Sequence, residues 1–293
     1  MQDSTGFNFD ALVPRDMARK AERTGVAKAT LGPFRIFALA VLAGAFIALG
    51  AIFATTATTG STLSFGLNKL LSGLVFCLGL ILVVGAGAEL FTGNNLIVMA
   101  WADGKITTRQ LLRNWSIVYV GNFVGSVATA VMMLWSKQYT FANGAIGQNV
   151  LNIANAKVNL AFGQALVLGV MCNALVCLAV WLCLGGRSAT DKILSIIFPV
   201  TAFVAAGFEH SVANMYFIPM GLLVKNTAPA DFWSQIGSSA DAFANLTWSN
   251  FFLRNLLPVT LGNIIGGALM VGLAYWFIYL RPTWTGAPSI DNK

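Results

Sequence analysis

Ala205-Ala206-Gly207-Phe208-Glu209-His210-Ser211-Val212-Ala213-Asn214-Met215 sets an acid beside a base inside an apolar segment running from about Ile193 to Val224. His210 is the only histidine of the chain. An ionisable side chain at membrane depth costs several kcal/mol, so it usually lines a pathway or pairs with another such group. Gly207 lies just ahead of the pair and Pro219 behind it, a pattern that predicts a helix broken near mid-membrane.

Composition supports a membrane setting. Of 293 residues, 57% are hydrophobic and 10% charged, whereas soluble proteins carry about 25% charged residues. The chain reads as an all-α polytopic membrane protein. Cys77, Cys172, Cys177 and Cys183 all lie in apolar segments without metal-ligand spacing, which predicts buried, inert thiols. Residues 1–33 carry charges throughout and no apolar core of a signal peptide. Within them Met17, Ala18, Ala21 and Ala27 fall near one helical face, with Arg15, Arg19, Lys20, Arg23 and Lys28 among or opposite them. That predicts an amphipathic helix on the membrane surface or packed against the bundle.

Apolar runs of about 20 residues define the spans. The first runs from Phe34 to about Thr56, and the second from Leu67 to Ala88 with a short apolar tail at Leu96–Trp101. The third covers about Leu111–Trp135, the fourth about Leu160–Leu184, and the sixth Leu256–Leu280. The opening stretch interrupts the fifth, and Glu89-Leu90-Phe91-Thr92-Gly93 interrupts the second. Six transmembrane helices with spans 2 and 5 broken are therefore expected. Thirteen Lys/Arg fall on the side of the two termini and five on the other, which puts both ends in the cytoplasm. The net charge of +7 is thus a topology signal, not a nucleic-acid footprint.

The two halves echo each other. Gly87-Ala88-Glu89-Leu90-Phe91-Thr92 matches Ala206-Gly207-Phe208-Glu209-His210-Ser211, and Gly121-Asn122-Phe123-Val124-Gly125 matches Gly262-Asn263-Ile264-Ile265-Gly266. Three spans per half require the second half to be inverted, and inverted repeats with paired broken helices mark the substrate path of many transporters. Residues 1–33 would form a cytoplasmic N-terminal segment. Residues 34–281 would form the channel domain, with repeat one at 34–136 and repeat two at 157–281, ahead of a cytoplasmic tail at 282–293.

Backbone freed at a break must line a cavity or lie in protein. The first break contributes Leu90, Phe91 and Thr92; the second contributes Glu209 and His210. Half-helices starting there aim N–H groups at the path, which suits a small anion. Glu89 and Glu209 are the only acids from about Phe34 to Leu280 outside polar connections. An acid lining an anion path would repel the solute, so both are expected to turn inward and cap N–H groups of the breaks. His210 would donate a hydrogen bond or a proton to a passing carboxylate, with Thr92 opposite it. Lys157 is a snorkelling interfacial lysine or a vestibule cation. Asn122 and Asn263 sit in small-xxx-small patterns, where helix packing and pore lining are both open, and Asn173 is a further polar residue within a span. Phe76, Leu80 and Phe203 are apolar core or a hydrophobic constriction.

Phosphate-binding loops, metal-ligand clusters and a Ser/His/Asp set are missing from the sequence, so no enzyme, catalytic residue, metal or cofactor is expected. At Gly87–Gly93, at Gly169-Val170-Met171-Cys172-Asn173-Ala174-Leu175-Val176-Cys177-Leu178-Ala179 and at Gly207–Met215 the chain resembles the formate/nitrite transporter family, most nearly its bacterial formate channels. The resemblance covers roughly Phe7 to Arg281 and implies a homopentamer of aquaporin-like protomers in the bacterial cytoplasmic membrane. It implies that Phe76, Leu80 and Phe203 form the outer constriction and Leu90, beside Phe91, the inner one. Thr92 and His210 would stand between them, with Lys157 and Asn173 near the outer vestibule and Asn263 facing the pore. It also implies an N-terminal helix that gates the pore in response to internal pH or to a formate-metabolising enzyme in the cytoplasm. The expected solute is formate, with nitrite, hydrosulfide, or water and neutral solutes as alternatives.

Overall fold

The computed structural model describes residues 11–281; the first ten residues of the N-terminal segment and the 282–293 tail lie outside them. Among the described residues no strand forms. Helix α1 (Pro14–Thr30) starts on a proline, whose missing N–H costs nothing in a first turn. Its buried face is Met17, Ala18, Ala21, Gly25 and Ala29, and it packs on the bundle rather than lying free. Ala27, expected on that face, is exposed, because the helical period runs through Gly25 and Ala29 instead.

The long helices are α2 (Pro33–Thr58), α3 (Phe65–Ala86), α5 (Thr108–Trp135) and α7 (Phe162–Gly185). Each is apolar enough to cross a membrane, as is the helical run Ala240–Tyr279. Between α3 and α5 the chain makes a 3₁₀ turn at Gly93–Ile97 and the short α4 (Val98–Ala102). After α7 come α8 (Ala189–Ala205) and α9 (Ser211–Thr227), each 17 residues long. Alone, each falls short of the roughly 20 residues a crossing needs. Thr107–Gln110 and Ser188–Asp191 capping boxes start α5 and α8.

Two features depart from the expected spans. Helix α6 (Ala145–Val158) fills part of the polar connection between the third and fourth spans, so Lys157 ends α6 rather than heading α7. The last span begins at Trp248, eight residues before the expected Leu256, in the short α11 (Trp248–Asn250), which follows α10 (Ala230–Gln235). It continues through π-helical turns at Phe251–Leu256 and Ile265–Leu273, around α12 (Leu257–Ile264) and ahead of α13 (Ala274–Tyr279).

Helix α2 packs on α5 and α3, and α7 packs on α12 and α8. The α2–α5 and α7–α12 crossings depend on backbone approach: a Cβ at Gly125 would strike the carbonyl of Val41, and one at Gly262 the carbonyl of Leu166. These contacts bring the non-helical stretches 87–92 and 206–210 to the same place.

Candidate functional site

Helix α3 ends at Gly87 with φ 80°, and α8 runs out into Gly207 with φ 73°. Glycine alone holds these left-handed turns without strain. Each turn leads into a glutamate whose backbone N–H bonds across to a neighbouring long helix: Glu89 to the Leu39 carbonyl at 3.2 Å, Glu209 to the Leu168 carbonyl at 3.3 Å.

One set of partners then appears twice. The Glu89 carboxylate accepts from Lys28 Nζ at 2.8 Å and from Asn94 Nδ2 at 2.6 Å. The Glu209 carboxylate accepts from Lys157 Nζ at 2.7 Å and from Asn214 Nδ2 at 2.6 Å. Asn94 also donates to Asn114 Oδ1 at 3.0 Å, and Asn214 to Asn255 Oδ1 at 2.7 Å. Behind each break an asparagine holds the backbone. Asn122 accepts from the Phe91 N–H at 2.9 Å and donates to the Ala40 and Glu89 carbonyls; Asn263 accepts from the Ser211 N–H at 2.9 Å and donates to the Gly169 and Glu209 carbonyls. Both carboxylates are buried, and Glu209 also stands on the wall of a cavity, where an acid turned wholly inward was expected. Their partners, however, are lysines and amides rather than helix N–H groups. A charge removed from water is tolerable only when it is paired and fully hydrogen-bonded in this way.

His210 caps α9 instead. Its Nδ1 accepts from the Ala213 N–H at 3.0 Å, and its Nε2 lies 3.0 Å from Thr92 Oγ1. Because Nδ1 is held as an acceptor, the ring proton sits on Nε2 and is donated to Thr92. The threonine hydroxyl hydrogen is then left to point elsewhere. Asn173 Nδ2 donates to the Thr92 carbonyl at 3.3 Å and to the Asn263 carbonyl at 2.7 Å, and Cys177 Sγ also reaches the Thr92 carbonyl. Counting from the two glutamates, Leu90 stands where His210 stands, and Val212 where Thr92 stands. The polar pair His210 and Thr92 thus has apolar residues at the matching positions of the opposite stretches.

A cavity of about 390 Å³ opens onto His210, with Phe76, Phe203, Lys69, Lys157 and Glu209 among its walls. Phe203 stacks on His210 at 6.0 Å between centroids and meets Phe76 edge-on at 6.0 Å. Leu80, expected beside them, is buried and not among the residues lining this cavity. On the far side of Thr92, Leu90 and Phe91 are buried, and the Phe91 ring packs against Tyr119 at 4.9 Å and Trp115 at 6.2 Å. Beyond them a space of about 40 Å³ remains between α1 and Gly93–Ile97. Helix α1 covers this face through Lys28 and through Lys20, whose Nζ donates to the Leu184 carbonyl at 2.8 Å. Partial burial first, then the charges of Lys192 and Arg187, hold the Lys20 ammonium below its usual pKa.

His210, Thr92 and Phe203 therefore come together, as do Lys157 with Glu209 and Asn173 with Asn263. Asn122 and Asn263, left between packing and pore lining, spend their amides on backbone. Sequence reasoning passed over Asn94, Asn114, Asn214, Asn255 and the second role of Lys28. A signal existed: an asparagine follows each glutamate at the same distance, Glu89 to Asn94 and Glu209 to Asn214.

A family profile described as formate/nitrite transporter matches residues 15–277. The formate channel FocA of Escherichia coli K12 is 51% identical over 274 residues, spanning 93% of this chain and 96% of that one. The formate channel FocA of Haemophilus influenzae is 45% identical over 264 residues, spanning 90% and 93%. Among solved structures, a pentameric formate channel with formate bound superposes with a TM-score of 0.81 at 47% identity, covering 85% of this chain and 98% of that one. These relatives are channels, not enzymes.

Proposed function

The chain belongs to the formate/nitrite transporter family, and from that premise we propose that it conducts formate across the bacterial cytoplasmic membrane. The observation that carries this reading is a neutral hydrogen-bond donor pair, Nε2–H of His210 and the Thr92 hydroxyl, at the end of a cavity whose carboxylate is already cancelled by a lysine. The solute named for the relatives agrees with it.

In this reading residues 34–281 make six crossings. The second and fifth are interrupted at 87–92 and 206–210, and two inverted repeats, 34–136 and 157–281, form an aquaporin-like protomer. The recurrence of Glu–Lys–Asn–Asn partners in both halves supports the repeat. Both termini face the cytoplasm, and five copies assemble as in the pentameric relative. Helix α1 lies on the inner mouth, which suits a gate that a cytoplasmic enzyme could engage.

Formate enters the outer cavity as the anion, which at pH 7 outnumbers the acid by about a thousandfold. Phe76 and Phe203 strip its water, and Leu90 and Phe91 oppose its exit to the inside. Between these apolar gates a carboxylate oxygen accepts the free Thr92 hydroxyl hydrogen, or replaces Thr92 at the Nε2–H of His210. The solute crosses by exchanging hydrogen bonds; Nδ1, tied to Ala213, takes no part. Asn173 and Asn263 fix Thr92 and Ser211 in place rather than touching the solute.

Formate uptake into proteoliposomes tests the proposal, with nitrite, hydrosulfide and water measured alongside. Rapid formate flux that His210→Ala abolishes is expected. Wild-type vesicles that pass water but no anion would overturn it.

A further inference from the structure

We infer that Lys69, not Lys157, is the anion-capturing cation of the outer vestibule; this rests on the anion-channel reading above. The charged side chains on the wall of the 390 Å³ cavity are Lys69, Lys157 and Glu209. Lys157 is spent: its Nζ lies 2.7 Å from Glu209 Oε1, and the Asn255 amide closes on its carbonyl. The two cancel, and the net positive charge of the cavity rests on Lys69.

Among the described residues Lys69 has no carboxylate or carbonyl partner; its Nζ sits 5.6 Å from the Phe65 ring centroid. The other basic residues of this face do not serve. Lys225 donates to the carbonyls of Phe243 and Leu246, while Lys137 and Arg254 are not on the cavity wall. Lys69 is half-buried in the second turn of α3, the helix whose later turn supplies Phe76 to the gate. An ammonium held there stays hydrated enough to exchange ions and stands on the same helix as the constriction. The solute is a small hydrated monovalent anion, drawn by charge alone, so Lys69 raises its local concentration without selecting among anions.

A unit charge a few ångströms away in water-like surroundings concentrates a monovalent anion about threefold. Lys69→Gln should therefore lower proteoliposome formate uptake about threefold at low formate and low salt, and Lys69→Glu about tenfold. Both should approach the wild type at saturating formate and in about 0.5 M salt, where screening removes the field. Lys69→Cys adds a control that keeps the fold fixed. A cationic methanethiosulfonate should restore uptake and an anionic one depress it further, against native thiols that are all buried. Variants that match the wild type at every salt, or a Lys69→Cys protein whose uptake both reagents lower alike, overturn the inference while leaving the channel reading intact. A wild type that carries no formate overturns the channel reading itself.

Discussion

Breaking the Lys157–Glu209 pair by removing one member should cost as much as removing both. The Nζ–Oε1 separation of 2.7 Å corresponds to an attraction of about 6 kcal/mol at an effective dielectric constant of about 20. The side chains are only 16% and 6% exposed, so much of that attraction is offset by the water both groups give up. Removing one partner leaves the other charge buried and unpaired, which costs about 3 kcal/mol. Glu209→Gln and Lys157→Met should each lower the apparent melting temperature by about 6 °C in a chain of this size. The double variant should lose no more than either single one. Neither charge then remains to be desolvated, and the amide introduced by Glu209→Gln can still accept from Asn214 and Asn255. That corresponds to a coupling of about 3 kcal/mol. Tryptophan fluorescence of the detergent-purified protein, heated at one fixed rate, measures it. A double variant that loses the sum, about 12 °C, would refute the claim that each charge is tolerated only through the other.

Thr92→Val keeps the shape but leaves the Nε2–H of His210 without its acceptor; formate flux should fall about tenfold to a hundredfold, read in the same vesicles. Gly87→Ala and Gly207→Ala should each lower stability by about 1–2 kcal/mol, since both positions are left-handed, as a thermal scan would show. Equal losses are the informative result, because they tie the two turns to one design. Lys28→Gln should loosen α1 by removing its hold on Glu89 and Asn94. Trypsin cleavage within α1 and faster amide exchange of its last turns check this, and unchanged protection would place the anchor at Lys20 and at Leu12, whose N–H donates to the Gly185 carbonyl at 3.2 Å.

The non-helical stretches at 87–92 and 206–210 were legible because Gly–x–Glu in an apolar run has few other physical outcomes. Glu89 and Glu209 stand out in the sequence as the two acids without a polar surrounding, and burial in a pair with a lysine is how the fold accommodates each. The identity of what neutralises them was not legible. Asn114 lies 20 residues from Asn94, and Asn255 lies 41 from Asn214; only the helix crossings bring them together. Lys28 looked like one cation of a basic face, and nothing local distinguishes it from Arg23. Asn263 illustrates the same limit: a small-residue pattern identifies a packed helix but not whether an amide points at a pore or at a backbone. Helix α6 was missed because its composition is mixed and its apolar face, Ile146, Val150, Leu151, Ala154 and Val158, is short.

In the proposed path, the pairing of His210 with Thr92, with Leu90 and Val212 at the matching positions of the two stretches, sets how many solutes can be held. On the proposed path, one polar pair between apolar residues offers a single rung between two greasy steps. A second anion finds no donor to rest on while the first is there. Flux through each protomer should then rise hyperbolically with concentration, with a Hill coefficient near one, and without the ion-on-ion push that drives multi-site pores. Combining Val212→Thr with Leu90→His would build the missing rung and convert a one-occupant passage into a two-occupant one.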